Sequence, residues 1–228
     1  GQVAQGKKYF RREDIEDKIW HEISQGNSVL FLAPRRVGKS SIVSYMAANP
    51  LEGFICKYEV IQTDSTIQDF YKRLTRMIHD SLTTSGKGKE WFLKWWNSWT
   101  ITTIGKDKVD IGSKEINYRY TFFDLLDQLK HEKRKVILFL DEFPDVVLNI
   151  YKEEGHEAAK RLLTDIRTLC HDNKFKNKFI LVLLGSVGLS HVVKKVTGRN
   201  DKINQLHIEY LPPLTKDQSR AFLTFLVD

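Results

Sequence analysis

The segment Ala33–Ser40 has a composition and spacing suited to binding phosphate. It reads A-P-R-R-V-G-K-S, which fits the phosphate-binding loop pattern with alanine in place of the usual first glycine. In such a loop, consecutive backbone N–H groups and the positive end of a helix dipole point at one anion. The pattern predicts that Lys39 reaches the β- and γ-phosphates of a nucleotide, that Ser40 places its hydroxyl on Mg²⁺, and that Gly38 lets the backbone approach the phosphates.

The segments on either side supply the context that this loop requires. Val29–Leu32 is an apolar run typical of a buried parallel strand, and Ser41–Ala48 reads as a helix that ends before Asn49 and Pro50. This order favours an anion cradle over the alternative, a basic turn between a strand and a helix. The two arginines of the loop would contact phosphates, a partner or only solvent. The predicted nucleotide-binding residues here are Pro34, Arg35, Arg36, Val37, Gly38, Lys39, Ser40 and Ser41.

A pair of acidic residues follows a second apolar strand. Lys135–Leu140 is that strand, and it ends in Asp141 and Glu142, where open α/β sheets bind ligands. Asp141 is predicted to hold Mg²⁺, directly or through water, and Glu142 to polarise the water that attacks the γ-phosphate. Alone, the pair would also fit a solvated acidic turn. Together with the loop, in the expected order, it predicts an ATP- or GTP-hydrolysing fold.

Composition limits the class of protein. With 228 residues, 41% of them hydrophobic and 29% charged, the chain suits one α/β domain, alone or with a small appendage. The net charge of +7 permits contact with nucleic acid or another acidic surface without requiring it. The sequence has no apolar run of membrane length and no signal peptide, so we expect a cytoplasmic location and no membrane partner. Cys56 and Cys170 do not have the spacing of a metal site, and we expect both to be reduced thiols.

Strands alternate with helices along the rest of the chain, which predicts a parallel sheet covered by helices. Further strands are predicted at Gly53–Ile61, Phe179–Leu184 and Leu206–Ile208. Helices are predicted at Asp14–Ser24, Ile67–Leu82, Phe122–Lys130, Ala158–Cys170 and from Lys216 onward.

The segment at about 86–120 is unusual because it holds four of the five tryptophans, Trp91, Trp95, Trp96 and Trp99. Helical spacing places the first, second and fourth of these on one face. Alternating apolar residues from Val109 to Tyr120 predict a hairpin around Gly112–Lys114. Aromatic side chains on a basic segment can stack on bases, but we favour a satellite hydrophobic core beneath an insertion.

With these residues placed, the chain resembles AAA+-type ATPases, and more narrowly the archaeal-ATPase and STAND group of prokaryotic ATPases. Pro34–Ser41 is close to that group's G-P-R-R-V-G-K-T-S loop, and Leu138–Glu142 fits its Walker B strand. Tyr9–Glu13 resembles its N-terminal F-x-G-R-E motif, with arginine in place of the glycine. Leu184–Ser186 fits the Gly-Ser after its fourth strand, and Leu211–Leu214 fits the start of its lid domain.

The resemblance implies a P-loop NTPase fold of the ASCE/AAA+ type. Its five-stranded parallel sheet would have the order 5-1-4-3-2, with helices on both faces and ATP at the C-terminal strand ends. Residues 1–210 would form the ATPase core, with an insertion at about 86–120, and residues 211–228 the start of a truncated helical lid. ATP and Mg²⁺ are the implied ligands, and the lack of an Asn-Lys-x-Asp guanine motif agrees with adenine.

The same resemblance implies roles for further residues. Ser186 would sense the γ-phosphate, although a helix N-cap or a turn explains it equally well. Tyr9, Phe10 and Arg11 would lie over the adenine, unless they belong to a mobile basic N-terminus. Arg199 would act as an arginine finger on the ATP of a neighbouring subunit, whereas a surface arginine in a basic loop is the more ordinary interpretation.

These features favour one function and leave two alternatives open. We expect a Mg²⁺-dependent ATPase module, weak in isolation, that acts as a nucleotide-driven switch or assembly motor within a larger protein. Self-oligomerisation and a DNA or protein partner stay open. One alternative is a module that binds nucleotide with little hydrolysis. The other is a DNA-associated ATPase of the transposition or replication regulator type, which the net charge and the tryptophan-rich segment permit.

Overall fold

A computed structural model of the chain describes residues 9–34, 36–84, 89–104, 116–186, 188–198 and 206–227. The strands in these residues are β1 (Val29–Leu32), β2 (Phe54–Val60), β3 (Lys135–Asp141), β4 (Phe179–Gly185) and β5 (His207–Tyr210). The helices are α1 (Glu13–Ser24), α2 (Lys39–Ala48), α3 (Ile67–Thr84), α4 (Lys89–Ile104), α5 (Tyr118–Gln128), α6 (Phe143–Glu153), α7 (His156–His171), α8 (Asn173–Lys176), α9 (Leu189–Thr197) and α10 (Lys216–Val227).

The five strands form one parallel sheet in the order β2-β3-β4-β1-β5. Counted from the β5 edge, this is 5-1-4-3-2, so the predicted strand order is confirmed. Every residue of β1 and β4 is buried, as expected for central strands covered on both faces. Because β3, β4 and β1 are neighbours, the loop after β1 and the turn after β3 open at the same edge of the sheet.

Helices cover both faces of the sheet, as predicted. Alternate residues of the strands point to opposite sides, so Leu138 and Leu140 belong to one core, and Ile137 and Phe139 to another. Side chains of α1 and α2 complete the smaller core, and side chains of α3 to α9 complete the larger one. The helix that carries the predicted phosphate loop therefore packs on a different face from the helices that follow β2 and β3.

Residues 116–120 correct the hairpin prediction. Helix α5 begins at Tyr118, and the Asn117 side chain accepts a hydrogen bond from the N–H of Tyr120 at 3.1 Å. The other arm of the predicted hairpin falls within 105–115, outside the described residues. Helices α6 and α9 were not predicted, although each carries a buried apolar stripe along one face.

The tryptophan-rich segment forms α4, as its helical spacing predicts. Trp91, Trp95 and Trp96 pack against the larger core, and Phe92 between them is fully buried. The indole N–H of Trp95 donates to Asp124 Oδ2 at 2.8 Å. These side chains join the main core of this face instead of a separate satellite.

Candidate functional site

The loop between β1 and α2 turns through two left-handed residues. Gly38 has φ +95° and Arg36 has φ +67°. A Cβ at Gly38 would meet nothing within 4 Å, so its backbone conformation, not lack of space, favours glycine there. Ala33, which replaces the first glycine of the pattern, is not among the residues with positive φ. Alanine at that position is therefore compatible with the loop.

The first turn of α2 has the properties of an anion-binding helix end. The N–H groups of Ser41 and Ile42 both donate to the carbonyl of Gly38 at 3.1 Å. Helix geometry leaves the N–H groups of Lys39 and Ser40 without an acceptor inside the helix. The first turn contains no acidic residue that would compete for these groups. The helix dipole and these N–H groups together favour a bound anion at this end.

The predicted metal-binding residues meet at Asp141. The Ser40 hydroxyl donates to Asp141 Oδ2 at 2.5 Å, although the two residues are 101 positions apart. Lys39 Nζ lies 3.5 Å from Asp141 Oδ1, and the N–H of Glu142 donates to the same oxygen at 2.9 Å. Asp141 and Lys39 are both buried. Buried charges are stable only when they are paired and hydrogen-bonded, and this arrangement supplies both conditions.

Tyr58 is a site residue that the sequence analysis missed. Its hydroxyl donates to Asp141 Oδ2 at 3.0 Å from the neighbouring strand β2. Burial raises the pKa of the Tyr58 phenol, and the negative charge of Asp141 raises it further, so the phenol keeps its proton. Only the strand order and register could have revealed this contact, because β2 places Tyr58 opposite Phe139 and Val60 opposite Asp141.

Glu142 follows Asp141 in a strained conformation. Its φ is +60° and it caps the N-terminus of α6, with Pro144 in the first turn. Among the described residues, Arg36 and Glu142 are the non-glycine residues with positive φ. A left-handed backbone costs a residue with a side chain about 1–2 kcal/mol. Both strained residues lie in the predicted phosphate and catalytic segments, where such strain often accompanies function.

The end of β4 is packed closely against the start of α6. A Cβ placed on Gly185 would lie 2.8 Å from Cγ of Pro144, so only glycine fits there without movement. Ser186 follows at the end of β4, and its carbonyl accepts a hydrogen bond from the N–H of Leu189 at 3.2 Å. The N-cap of α9 is Gly188, so Ser186 does not hold that position. Sensing of the γ-phosphate by Ser186 stays a prediction.

The N-terminal motif is packed against α1 and α2. Tyr9 is buried, its hydroxyl donates to Glu16 Oε1 at 2.8 Å, and its ring lies 4.8 Å from that of Tyr45. Arg11 pairs with Glu16 at 2.7 Å and lies 5.1 Å from the Tyr45 ring centroid. These contacts argue against a mobile basic N-terminus for this segment. The predicted contact with adenine stays a prediction.

The same segment also contacts the last helix. The ring of Phe10 lies 5.4 Å from that of Phe222 and 5.7 Å from that of Phe225, both on α10. The Arg12 guanidinium donates to the carbonyl of Pro212 at 3.4 Å. The start of the predicted lid thus lies against the residues predicted to cover the adenine.

Some predicted site residues are exposed or lie outside the description. Val37 is 43% exposed, and Ser41 is half-buried within α2. Arg35 and Arg199 fall outside the described residues. Within the described ranges, no helix combines the length and apolar character needed to span a bilayer.

The donor set at Asp141 fits Mg²⁺. The described residues contain no group of three or more histidine, cysteine, aspartate or glutamate side chains that could hold a metal. Mg²⁺ does not need such a cage, since it usually takes one or two hard oxygen ligands from the protein and the rest from phosphates and water. The Ser40 hydroxyl and the Asp141 carboxylate are two such oxygens, held together at the helix end.

Comparison with known proteins supports the fold. No protein-family model matches the sequence, and no curated protein sequence matches it. The Walker-type ATPase PABY2304 of Pyrococcus abyssi is similar in structure, with a TM-score of 0.60 at 20% identity over 97% of this chain and 59% of that one. The ADP form of the ORC2 protein of Aeropyrum pernix gives a TM-score of 0.59 at 11% identity, over 95% of this chain and 52% of that one.

The ADPNP–ADP complexes of the same ORC2 protein give a TM-score of 0.57 at 12% identity, over 93% of this chain and 50% of that one. The chain therefore spans between a half and three fifths of the length of these proteins. Together with the strand order, these likenesses show that the chain has the fold of the P-loop ATPases.

Proposed function

We propose that the chain is a Mg²⁺-dependent ATP-binding and hydrolysing module that acts as a nucleotide-driven switch or assembly motor in a larger protein. The observation that carries this proposal is the meeting of Lys39 and Ser40 with Asp141 at the N-terminus of α2. The motif resemblance supports membership of the AAA+ class and, more narrowly, of its archaeal-ATPase and STAND group. The similar structures bear on this proposal because one is named a Walker-type ATPase and two are nucleotide complexes.

The residues divide the work between binding and hydrolysis. The loop N–H groups and the Lys39 ammonium bind the phosphates, and Ser40 and Asp141 hold Mg²⁺, which neutralises charge on the phosphate oxygens when bound. Glu142 orients the attacking water and takes its proton. It lies directly after Asp141 at the end of β3, and its backbone is left-handed. Ser186, at the end of the neighbouring strand β4, contacts the γ-phosphate.

Parts of the module beyond this centre couple hydrolysis to movement. Helix α10 would begin the lid and would respond to the base through Phe10, whose ring contacts Phe222 and Phe225 on this helix. Arg199 would complete the site of a neighbouring copy, since an arginine supplied in trans stabilises the transition state. Turnover should therefore be slow in dilute protein and rise as copies associate.

Phosphate release separates this proposal from a binding module with little hydrolysis. We expect the wild-type protein to release phosphate from Mg²⁺–ATP, and Glu142→Gln to bind ATP normally while its turnover falls by about 100-fold or more. Glu153→Gln on the exposed end of the same helix is the matched control and should keep wild-type turnover. Firm ATP binding without phosphate release, even at high protein concentration, would favour the binding module. Unchanged turnover in Glu142→Gln would refute the role of that residue.

A second candidate function is contact with nucleic acid, and a basic surface favours it. Val136 donates to the carbonyl of Lys178 at 2.8 Å, so the segments preceding β3 and β4 lie side by side at the edge opposite the nucleotide site. Lys130 and Lys133 are exposed there. We call the cations of this surface the basic edge: Lys130, Lys133, Arg134, Lys135, Lys174, Lys176 and Lys178. Two of them are paired with carboxylates, Arg134 with Glu132 and Lys174 with Asp127, so the exposed Lys130 and Lys133 are the cations chosen for the test.

The basic edge predicts a salt-sensitive affinity for duplex DNA. Phosphate contacts of lysine and arginine release counterions, so binding should weaken steeply as salt rises. Filter binding should show a lower affinity and a shallower salt dependence in the double variant Lys130→Glu and Lys133→Glu. The same change of charge on α9, Lys194→Glu and Lys195→Glu, is the control and should bind as the wild type does. Equal loss in both double variants, or no salt-sensitive affinity in the wild type, would refute this second function.

A further inference from the structure

We propose that Tyr58 is a positioning residue for the Asp141 carboxylate, an inference that rests on the metal-binding role proposed above. Tyr58 and Ser40 donate to the same oxygen, Oδ2, at 3.0 and 2.5 Å. The other oxygen, Oδ1, accepts from the N–H of Glu142 at 2.9 Å and lies 3.5 Å from Lys39 Nζ. Both oxygens of the carboxylate are thus held. Of these four groups, Tyr58 is the one that lies on β2, the strand beside the one that carries Asp141.

The position of Tyr58 gives it a function that Ser40 cannot fulfil. Ser40 is the proposed ligand of Mg²⁺, so its hydroxyl has to serve the metal as well as Asp141. Tyr58 has no such second task, because it reaches Asp141 from β2 and not from the loop that binds phosphate. It can therefore fix the rotation of the carboxylate both before and after the metal binds.

The main chain of β2 supports this contact. The two strands pair in register over their whole length, with Val60 opposite Asp141. Beyond the strand, the N–H of Ile61 donates to the carbonyl of Asp141 at 3.0 Å. Both the backbone and the side chain of Asp141 are therefore held by β2, and the Tyr58 hydroxyl has little freedom to move away.

A purely structural role for Tyr58 predicts different behaviour from a positioning role. The ring packs against the smaller core, and phenylalanine would preserve that packing while removing only the hydroxyl. A positioning role requires that loss of the hydroxyl weakens metal-dependent binding selectively. A structural role predicts an equal effect on nucleotide binding with and without metal, or no effect at all.

A Mg²⁺ titration of nucleotide binding makes this distinction. The probe is a fluorescent ATP analogue, titrated first in EDTA and then with rising Mg²⁺, against wild-type protein, Tyr58→Phe and the control Tyr210→Phe. Tyr210 is exposed on β5, at the opposite end of the sheet. We expect Tyr58→Phe to keep its metal-free affinity within about twofold and to need about five- to tenfold more Mg²⁺ for half of the metal-induced gain. The control should match the wild type.

The outcomes separate the positioning role from the proposed function. If the wild type binds the analogue with Mg²⁺ and Tyr58→Phe has the same Mg²⁺ midpoint, the positioning role is wrong and the ATPase proposal stands. Equal weakening with and without Mg²⁺ would also overturn the positioning role. If the wild type shows no metal-dependent binding, the proposed function and the positioning role both fail.

A measurement without nucleotide checks the contact itself. Thermal unfolding of the metal-free protein is measured with Tyr58→Phe introduced into two backgrounds, the wild type and Asp141→Ala. The substitution should lower the melting temperature more than twice as much in the first background as in the second. The reason is that the hydroxyl has lost its acceptor in the second background. Equal decreases in the two backgrounds would show that Tyr58 and Asp141 are not coupled, and would overturn the proposal.

Discussion

The Asp141 centre and the contact between Phe10 and α10 are held in opposite ways. Asp141 is 2% exposed and is surrounded by donors from the loop, from β2 and from its own turn. Phe10 is half-buried and meets α10 through the edges of two rings. Helix α10 has no buried residue, and three of its apolar side chains, Leu223, Leu226 and Val227, are more than 60% exposed.

This difference indicates that the two regions have different roles within the proposed site. Where charge must be placed accurately, the protein uses short hydrogen bonds, close packing and strained backbone, so the groups are preorganised. At α10, which we propose moves with the nucleotide, the protein uses a few aromatic contacts, each worth about 0.5–1.5 kcal/mol beyond the area buried. Changes at the Asp141 side should therefore be costly and specific, and changes at the α10 side should be mild and local.

The largest effect on stability is expected from Gly185→Ala, which breaks the close packing beside the Asp141 turn. The new Cβ would lie 2.8 Å from Cγ of Pro144, and overpacking of this kind costs about 1–3 kcal/mol. Movement of Pro144 should also displace Glu142, two residues earlier, so phosphate release should fall by about tenfold or more. Urea unfolding and a phosphate-release assay measure the two effects.

A second substitution tests the cause of this effect. In the double variant Gly185→Ala and Pro144→Ala, the atoms that clash are gone, so we expect at least half of the lost unfolding free energy to return. Pro144→Ala alone serves as the reference. A double variant that is no more stable than Gly185→Ala would show that the contact with Pro144 is not the reason.

An intermediate effect on stability is expected from Glu142→Asn, and it is opposite in sign to the effect on activity. Asparagine tolerates a left-handed backbone better than glutamate, so the unfolding free energy should rise by about 0.5–1 kcal/mol. Turnover should still be lost, because the carboxylate is absent. Glu142→Val is the matched control, since it also lacks the carboxylate but strains the backbone more. Equal stability of the two variants in urea unfolding would argue against strain at this position.

The smallest effect is expected from Phe222→Ala on the α10 side. It removes one ring contact with Phe10, so α10 should detach more often while the sheet stays intact. Limited proteolysis should cut faster at 211–215, with the melting temperature of the core changed by only about 1–2 °C. Leu223→Ala, at an exposed neighbouring position, is the control. Unchanged cleavage in Phe222→Ala would mean that the ring contact does not hold the helix.

The sequence predicted the parts of the molecule that depend on short segments. Apolar runs identified the five strands, and the resemblance identified their order, which the structure confirms. Lys39, Ser40 and Asp141 could be predicted to meet because the loop and the turn each follow a strand that opens at the same edge. These inferences needed only local pattern and a known way of assembling strands.

Features that depend on register or on backbone conformation were not predictable. The Tyr58 contact joins residues 83 positions apart and exists only because β2 pairs with β3 in one register. Nothing in the sequence marks Glu142 as left-handed. The hairpin prediction was wrong because three alternating residues, Ile116, Tyr118 and Tyr120, were given more weight than the helical pattern that follows them. In the structure, Asn117 caps that helix.

The most direct test of the account is a titration with a fluorescent ATP analogue in Mg²⁺, with phosphate release followed in the same samples. Lys39→Ala is the test variant, and Lys152→Ala, at an exposed position on α6, is the control. The account predicts saturable binding and slow release in the wild type and the control, with affinity at least about tenfold weaker and no release in Lys39→Ala. Equal weak binding by all three proteins, without phosphate release, would contradict the proposal that this loop is a nucleotide site.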